Sequence, residues 1–153
     1  VASGVTIKAD LIRLVKGHPN VIGMKDSSHD TYRENLEAAK GGMCVLAGSA
    51  NYFLDLLQAG GTGGVLSLAN VYPDACARLY TLFREGKTAE AEELNRALIG
   101  LNKEVSGSFG VAGVKAAMDL SGYSGGVPRK PLLPLTGEQL ETLKASLGKS
   151  TFK

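Results

Sequence analysis

The chain has 153 residues, a length that suits one domain with its own buried core. Hydrophobic residues make up 44% and charged residues 21% of it, with a formal net charge of +2, which is ordinary for a globular protein. The basic residues are scattered, and no apolar run approaches the ~20 residues of a membrane span, so we expect neither nucleic acid nor a membrane as a partner.

The start of the sequence and the two cysteines give two further expectations. Val1-Ala2-Ser3-Gly4 has no initiator methionine and is typical of a loop that follows a strand, which predicts a piece of a longer protein. Cys44 and Cys76 fall in a predicted strand and a predicted helix, without further metal ligands beside them. We therefore expect reduced core thiols in an intracellular protein, cytoplasmic or mitochondrial, and no metal site.

Strands and helices alternate in the first half of the chain. The predicted elements are a helix over 7–16 capped by Thr6, a strand over 21–25 buried on both faces, a helix over 31–40 capped by Asp30, a strand over 43–47, a helix over 52–59 and a strand over 64–68. The first helix is expected to bury Ile7, Leu11, Leu14 and Val15. This alternation predicts an α/β fold with a parallel sheet.

Helices alone follow. They are predicted over 73–85, 89–105 with Thr88 as its cap, 111–120, and from a capping box of Thr136 and Gln139 through 147. The change in pattern divides the chain into 1–72, with the sheet, and 73–153, a helical region.

Lys25 is the residue most suggestive of chemistry. It ends the apolar run Val21–Met24, at the carboxyl end of a predicted parallel strand, where α/β proteins place their active sites. Apolar neighbours would disfavour its ammonium form and leave an amine able to attack a carbonyl. A lysine that extends into water from a strand end is the alternative.

Four motifs, in this order, resemble the dihydrodipicolinate synthase and N-acetylneuraminate lyase superfamily of class I pyruvate aldolases. They are Val-Ile-Gly-Met-Lys-Asp-Ser-Ser at 21–28, Leu-Ala-Gly-Ser-Ala at 46–50, Gly-Gly-Val-Leu-Ser-Leu-Ala-Asn-Val at 63–71 and Arg-Lys-Pro-Leu-Leu-Pro-Leu-Thr at 129–136. Within the superfamily, the Gly-Met-Lys-Asp-Ser run is most similar to 4-hydroxy-2-oxoglutarate aldolase.

The resemblance implies a fold and an assembly. The chain would be the C-terminal part of a TIM (β/α)8 barrel, with three βα units that supply strands six to eight, followed by a C-terminal helical appendage. It would associate as a homo-oligomer, a tetramer in the family.

The resemblance also implies roles for five residues, without a metal or a cofactor. Lys25 would form an imine with a 2-oxo acid, and Ser27 would bind the distal carboxylate, unless it only satisfies the backbone of its own turn. Gly48 and Ser49 are candidates to line the pocket, although Ser49 could instead cap a helix. The backbone around Val65 would face the imine, but packing explains the preceding glycines nearly as well.

The predicted reaction is cleavage of 4-hydroxy-2-oxoglutarate to pyruvate and glyoxylate. Dihydrodipicolinate synthase is an alternative, because it forms the same imine and then condenses pyruvate with aspartate semialdehyde. Ala50 and Asn51 replace acidic residues of the family, which disfavours a sugar-acid substrate. The family's proton-shuttling tyrosine has no counterpart here, since every tyrosine falls in a predicted helix or tail loop. The family's threonine pair has no counterpart either. A catalytically silent half-barrel that acts by association is therefore a further alternative.

Overall fold

The computed structural model describes residues 5–148, and they form two compact units that divide between Val65 and Leu66. The first unit carries the sheet and the second is helical. The predicted domains 1–72 and 73–153 stay a prediction.

The first unit alternates helices and strands as the sequence predicts. Its elements are α1 (Ala9–Val15), β1 (Gly23–Asp26), α2 (Tyr32–Ala39), β2 (Cys44–Ala47), α3 (Phe53–Gln58) and β3 (Gly63–Gly64), with a 3₁₀ turn over Ala50–Tyr52. The strands are parallel in the order β1-β2-β3. Each strand therefore ends at the same edge of the sheet, and that edge is where we look for a site.

The two faces of this sheet differ in burial. On one face Asp26, Val45 and Ala47 are buried, and the sheet packs there against α2 and α3. Side chains on the other face alternate with these, and Lys25 and Cys44 are exposed there. The prediction that β1 is buried on both faces is wrong, because Lys25 is exposed on the second face. The same open face explains why Cys44 is not the core thiol that we predicted, whereas Cys76 is buried as expected.

The first helix buries a different side from the one predicted. Ala9 and Ile12 are its buried residues, because α1 packs on α2 through that side. Of the predicted stripe, Ile7, Leu11 and Leu14 are exposed, with Leu14 at 79%, and Val15 is half-buried. The N-terminal cap position is Lys8 rather than Thr6.

The second unit contains the remaining helices. They are α4 (Pro73–Arg84), α5 (Thr88–Asn102), α6 (Gly110–Leu120) and α7 (Gly137–Gly148), with a 3₁₀ turn over Ser67–Asn70 and a π-helical segment over Lys103–Gly107. The Thr136 and Gln139 capping box is confirmed, since the Gln139 side chain accepts from Thr136 N at 2.9 Å and Thr136 Oγ1 accepts from Gln139 N at 3.3 Å.

Three other predicted details are wrong. Asp30 and Thr88 do not cap helices, because Thr31 and Lys87 occupy those cap positions. The third strand is only two residues long, since the chain turns into the 3₁₀ segment where we predicted strand.

Within residues 5–148, no helix combines the length and apolar character needed to cross a lipid bilayer.

Candidate active site

Lys25 lies one residue before the carboxyl end of β1. It pairs with Leu46 of β2, which in turn pairs with Gly63 of β3. Its side chain is exposed, so the described residues do not enclose it in the apolar surroundings that we expected. The amine is accessible to a small carbonyl compound from the open face of the sheet.

The residue after Lys25 anchors the strand end from the opposite face. Asp26 is 4% exposed, and its carboxylate accepts hydrogen bonds from Ser28 N at 2.8 Å, from Ser28 Oγ, and from Asn35 Nδ2 at 2.9 Å. Asn35 lies on α2, so these bonds fasten the loop after β1 to the helix behind the sheet. A buried carboxylate is tolerated here because both of its oxygens accept hydrogen bonds.

Ser27 and Ser28 are separated by this arrangement. The Ser28 hydroxyl donates to Asp26 and accepts from Asn35 Nδ2 at 3.1 Å, which commits it to the loop. Ser27 is exposed, and its hydroxyl contacts the position where a side chain at Gly48 would begin. Of the two serines, Ser27 is therefore the one that is exposed, and its role in binding a carboxylate stays a prediction.

Gly48 directly follows β2 and lies against the loop after β1. A Cβ at this position would lie 2.5 Å from the Asp26 carbonyl oxygen and would overlap Ser27 Oγ. Only glycine fits, and its presence brings the ends of β1 and β2 together.

The other two candidates lie on the same edge. Ser49 Oγ accepts from Asn51 N at 3.3 Å, which agrees with the alternative role of a helix cap. Val65 N donates to Ala47 O at 2.8 Å, so its backbone continues the pairing of β3 with β2, while its side chain is half exposed.

Tyr52 belongs to this site, although the sequence analysis placed it in a helix away from the strand ends. It lies in the 3₁₀ turn, and its hydroxyl donates to Asp26 O at 2.7 Å and accepts from Gly48 N at 3.3 Å. Burial raises the pKa of this hydroxyl, the bond from Gly48 opposes the rise, and nearby Asp26 adds to it. Tyr52 thus stays a neutral phenol and serves both as donor and as acceptor.

Sequence reasoning missed Tyr52, Asn35 and the role of Asp26. The bond from Tyr52 to Asp26 joins residues 26 positions apart, and no local pattern indicates such a contact. Among residues 5–148, no three His, Cys, Asp or Glu side chains gather in a group that could hold a metal ion.

A comparison with protein families decides the relationship. The model of the dihydrodipicolinate synthetase family matches residues 2–150. The chain belongs to this family. The predicted superfamily is thereby confirmed, whereas a special closeness to 4-hydroxy-2-oxoglutarate aldolase is not shown.

Individual members of the dihydrodipicolinate synthetase family agree. A 4-hydroxy-tetrahydrodipicolinate synthase of Mycolicibacterium paratuberculosis is 31% identical over 145 residues, which cover 95% of this chain and 48% of that protein. The structure of the 4-hydroxy-tetrahydrodipicolinate synthase from Methylacidiphilum fumariolicum SolV matches with a TM-score of 0.83 and 32% identity, over 97% of this chain and 51% of the other.

A third relative was solved with a small molecule bound. It is a prophage protein of the dihydrodipicolinic acid synthase family from E. coli K12 in complex with pyruvate, with a TM-score of 0.82, 25% identity, and coverage of 93% of this chain and 50% of the other. The chain thus spans about half the length of the relatives that it matches. Their structures are (β/α)8 barrels, and the three-stranded parallel sheet with its helices is consistent with part of one.

Proposed function

We propose that this chain carries the imine-forming part of a pyruvate-dependent enzyme, with Lys25 as its amine nucleophile. The observation that carries the proposal is the position of Lys25. It lies at the carboxyl end of a parallel strand, two residues before Ser27, whose hydroxyl lies against Gly48. Family membership supports it, as does the pyruvate complex of the E. coli K12 relative.

The chemistry follows from an amine and a 2-oxo acid. Lys25 Nζ attacks the carbonyl carbon, the carbonyl oxygen leaves as water, and a carbon–nitrogen double bond forms. The protonated imine accepts electrons from the neighbouring carbon, which loses a proton and becomes an enamine. That carbon can then bond to an aldehyde, and in the reverse direction the same bond breaks.

We assign the surrounding residues to substrate binding. Ser27 offers an exposed hydroxyl to a carboxylate, and Gly48 keeps the backbone close to that hydroxyl. Ser49 and the backbone of Val65 lie on the same edge and complete the set of proposed contacts.

The second substrate is aspartate semialdehyde in this proposal. The synthases among the matched relatives are named for the product of that condensation, which supports this choice over the aldolase that the sequence analysis put first. Cleavage of 4-hydroxy-2-oxoglutarate stays a second candidate because of the Gly23-Met24-Lys25-Asp26-Ser27 run. Pyruvate consumption with each aldehyde, aspartate semialdehyde or glyoxylate, separates the two candidates.

Reductive trapping tests the role of Lys25. Treatment with pyruvate and borohydride should leave a stable label on Lys25, and Lys25→Ala should remain unlabelled. Lys16→Ala serves as the matched control and should be labelled like the unmodified protein. Lys16 lies in the same unit, and its Nζ donates a hydrogen bond to Lys40 O at 3.0 Å. A label that persists in Lys25→Ala would show that the assignment of Lys25 is wrong.

Two finer assignments belong to the same proposal. The strands β1, β2 and β3 correspond to strands six to eight of a barrel, and the protein forms a homo-oligomer, as the resemblance implies. The exposed Lys25 face favours one further role, a catalytically silent half-barrel that acts by association. A folded protein that pyruvate and borohydride leave unlabelled would support that role.

A further inference from the structure

The Tyr52 hydroxyl hydrogen-bonds to the backbone at the ends of both β1 and β2. It donates to Asp26 O at 2.7 Å, in the last residue of β1, and accepts from Gly48 N at 3.3 Å, directly after β2. The pairing of β1 with β2 ends at Asp26 and Ala47, and Ser27 and Gly48 begin the loops that follow.

The ring of Tyr52 is itself held in place. It is 3% exposed and stacks on Tyr32, with ring centroids 4.7 Å apart and planes 15° from parallel. The His29 ring meets it edge-on at 6.1 Å. A ring packed in this way has few alternative rotamers, so the position of its hydroxyl is fixed before any ligand binds.

The backbone that this hydroxyl binds belongs to the proposed substrate edge. Asp26 O lies in the residue next to Lys25, and Gly48 is in van der Waals contact with Ser27. Because even a Cβ at Gly48 would overlap the Ser27 hydroxyl, a movement of Gly48 changes the space that this hydroxyl occupies. The Asp26 carboxylate anchors the other side of the loop to α2 and leaves the Gly48 side to Tyr52.

We propose that Tyr52 is a positioning residue, whose hydroxyl sets the spacing between the Lys25 strand end and the Gly48 edge at which a 2-oxo acid binds. The proposal rests on the function proposed above for Lys25. Tyr52 does not contact the substrate and does not move a proton, because its hydroxyl is buried and bonded to backbone on both sides.

The test compares Tyr52→Phe with Tyr32→Phe. Both variants keep a buried ring and lose one hydroxyl, but within residues 5–148 the Tyr32 hydroxyl makes no hydrogen bond to either strand end. The readout is the pyruvate concentration that gives half-maximal borohydride labelling of Lys25, alongside the labelling at saturating pyruvate.

Tyr52→Phe should raise the half-saturating concentration ~3- to 10-fold, the range that the net loss of about one hydrogen bond gives, and change the saturating rate less than about two-fold. Tyr32→Phe should leave both values unchanged. Equal half-saturating concentrations in Tyr52→Phe and the unmodified protein would overturn the proposal.

Hydrogen exchange at the Gly48 amide provides a readout that does not need the chemistry. In the unmodified protein this amide should exchange slowly although it lies in a loop, since Tyr52 accepts its hydrogen. Exchange should be at least ~10-fold faster in Tyr52→Phe and unchanged in Tyr32→Phe. If the unmodified protein is not labelled by pyruvate and borohydride, the proposed function of Lys25 is wrong, and the Tyr52 role is not affected. If the exchange rate of the Gly48 amide is unchanged in Tyr52→Phe, the proposed role of Tyr52 is wrong, and the Lys25 function is not affected.

Discussion

Asp26 shows how a single residue fixes the candidate site from behind. Its buried carboxylate accepts hydrogen bonds from Ser28 and Asn35. In an asparagine at this position, the side-chain NH₂ group would face one of these donors and could not accept its hydrogen bond. Asp26→Asn should lower the free energy of unfolding by ~1–3 kcal/mol. Asp30→Asn, in the same loop but exposed, should change it by less than about 0.5 kcal/mol. Urea unfolding checks both values, and an equal effect of the two would contradict the account.

Cys76 predicts a pH dependence. Burial raises the pKa of its thiol from 9.0 to about 11. Between these values the folded protein keeps a proton that the unfolded chain has lost, so the contribution of Cys76 is complete below pH 9 and lost as the pH rises to about 11. The loss should approach ~1.4 kcal/mol per pH unit.

Unfolding experiments between pH 8 and 11 check this slope, with Cys76→Ala as the comparison. The variant starts from a lower stability because it leaves a cavity, but its alkaline slope should be shallower. The raised pKa of Tyr52 adds a slope of the same sign to both proteins, so the difference between them isolates Cys76. Parallel slopes would contradict the assignment.

At the scale of elements, α6 and the π-helical segment before it depend on one glycine. A Cβ at Gly113 would overlap the Val105 carbonyl oxygen and lie 2.5 Å from Phe109 Cβ. Gly113→Ala should therefore destabilise the protein by ~1–3 kcal/mol.

A Cβ at Gly100 of α5 would point into open space, without a neighbouring element of the described chain within 4 Å. Gly100→Ala should stabilise the protein by up to ~1 kcal/mol for that reason. Thermal unfolding checks the opposite signs, and a neutral Gly113→Ala would contradict this packing.

The elements that were predicted correctly are those that local sequence determines. Thr136 and Gln139 form their capping box with each other, so the motif could be recognised three residues apart. The buried side of α1 depends on its packing against α2, and the apolar stripe of Leu14 indicated the wrong side for that reason. The short β3 likewise depends on its partner strand, since its pairing with β2 ends at Ala47, whose carbonyl oxygen accepts from Val65 N directly after β3.

At the scale of the whole molecule, the sequence identified the family because its signal is a set of short runs of residues. One of these runs makes Lys25 the candidate nucleophile, which stays a prediction. The positions of Ser27 and Gly48 at one edge follow from parallel strands and could also be predicted. The Tyr52 bonds could not, because they cross from a turn to a strand 26 residues earlier. Burial of Lys25 could not be judged from its neighbours in sequence either, since it depends on what covers the open face of the sheet.

The most direct test of the account is the intact mass of the protein after incubation with pyruvate and borohydride. We predict one adduct, with the mass of pyruvate less one water plus two hydrogens, mapped to Lys25 and absent from Lys25→Ala. A folded protein with unchanged mass, or an adduct on another lysine, would contradict the proposal that Lys25 is the imine-forming residue.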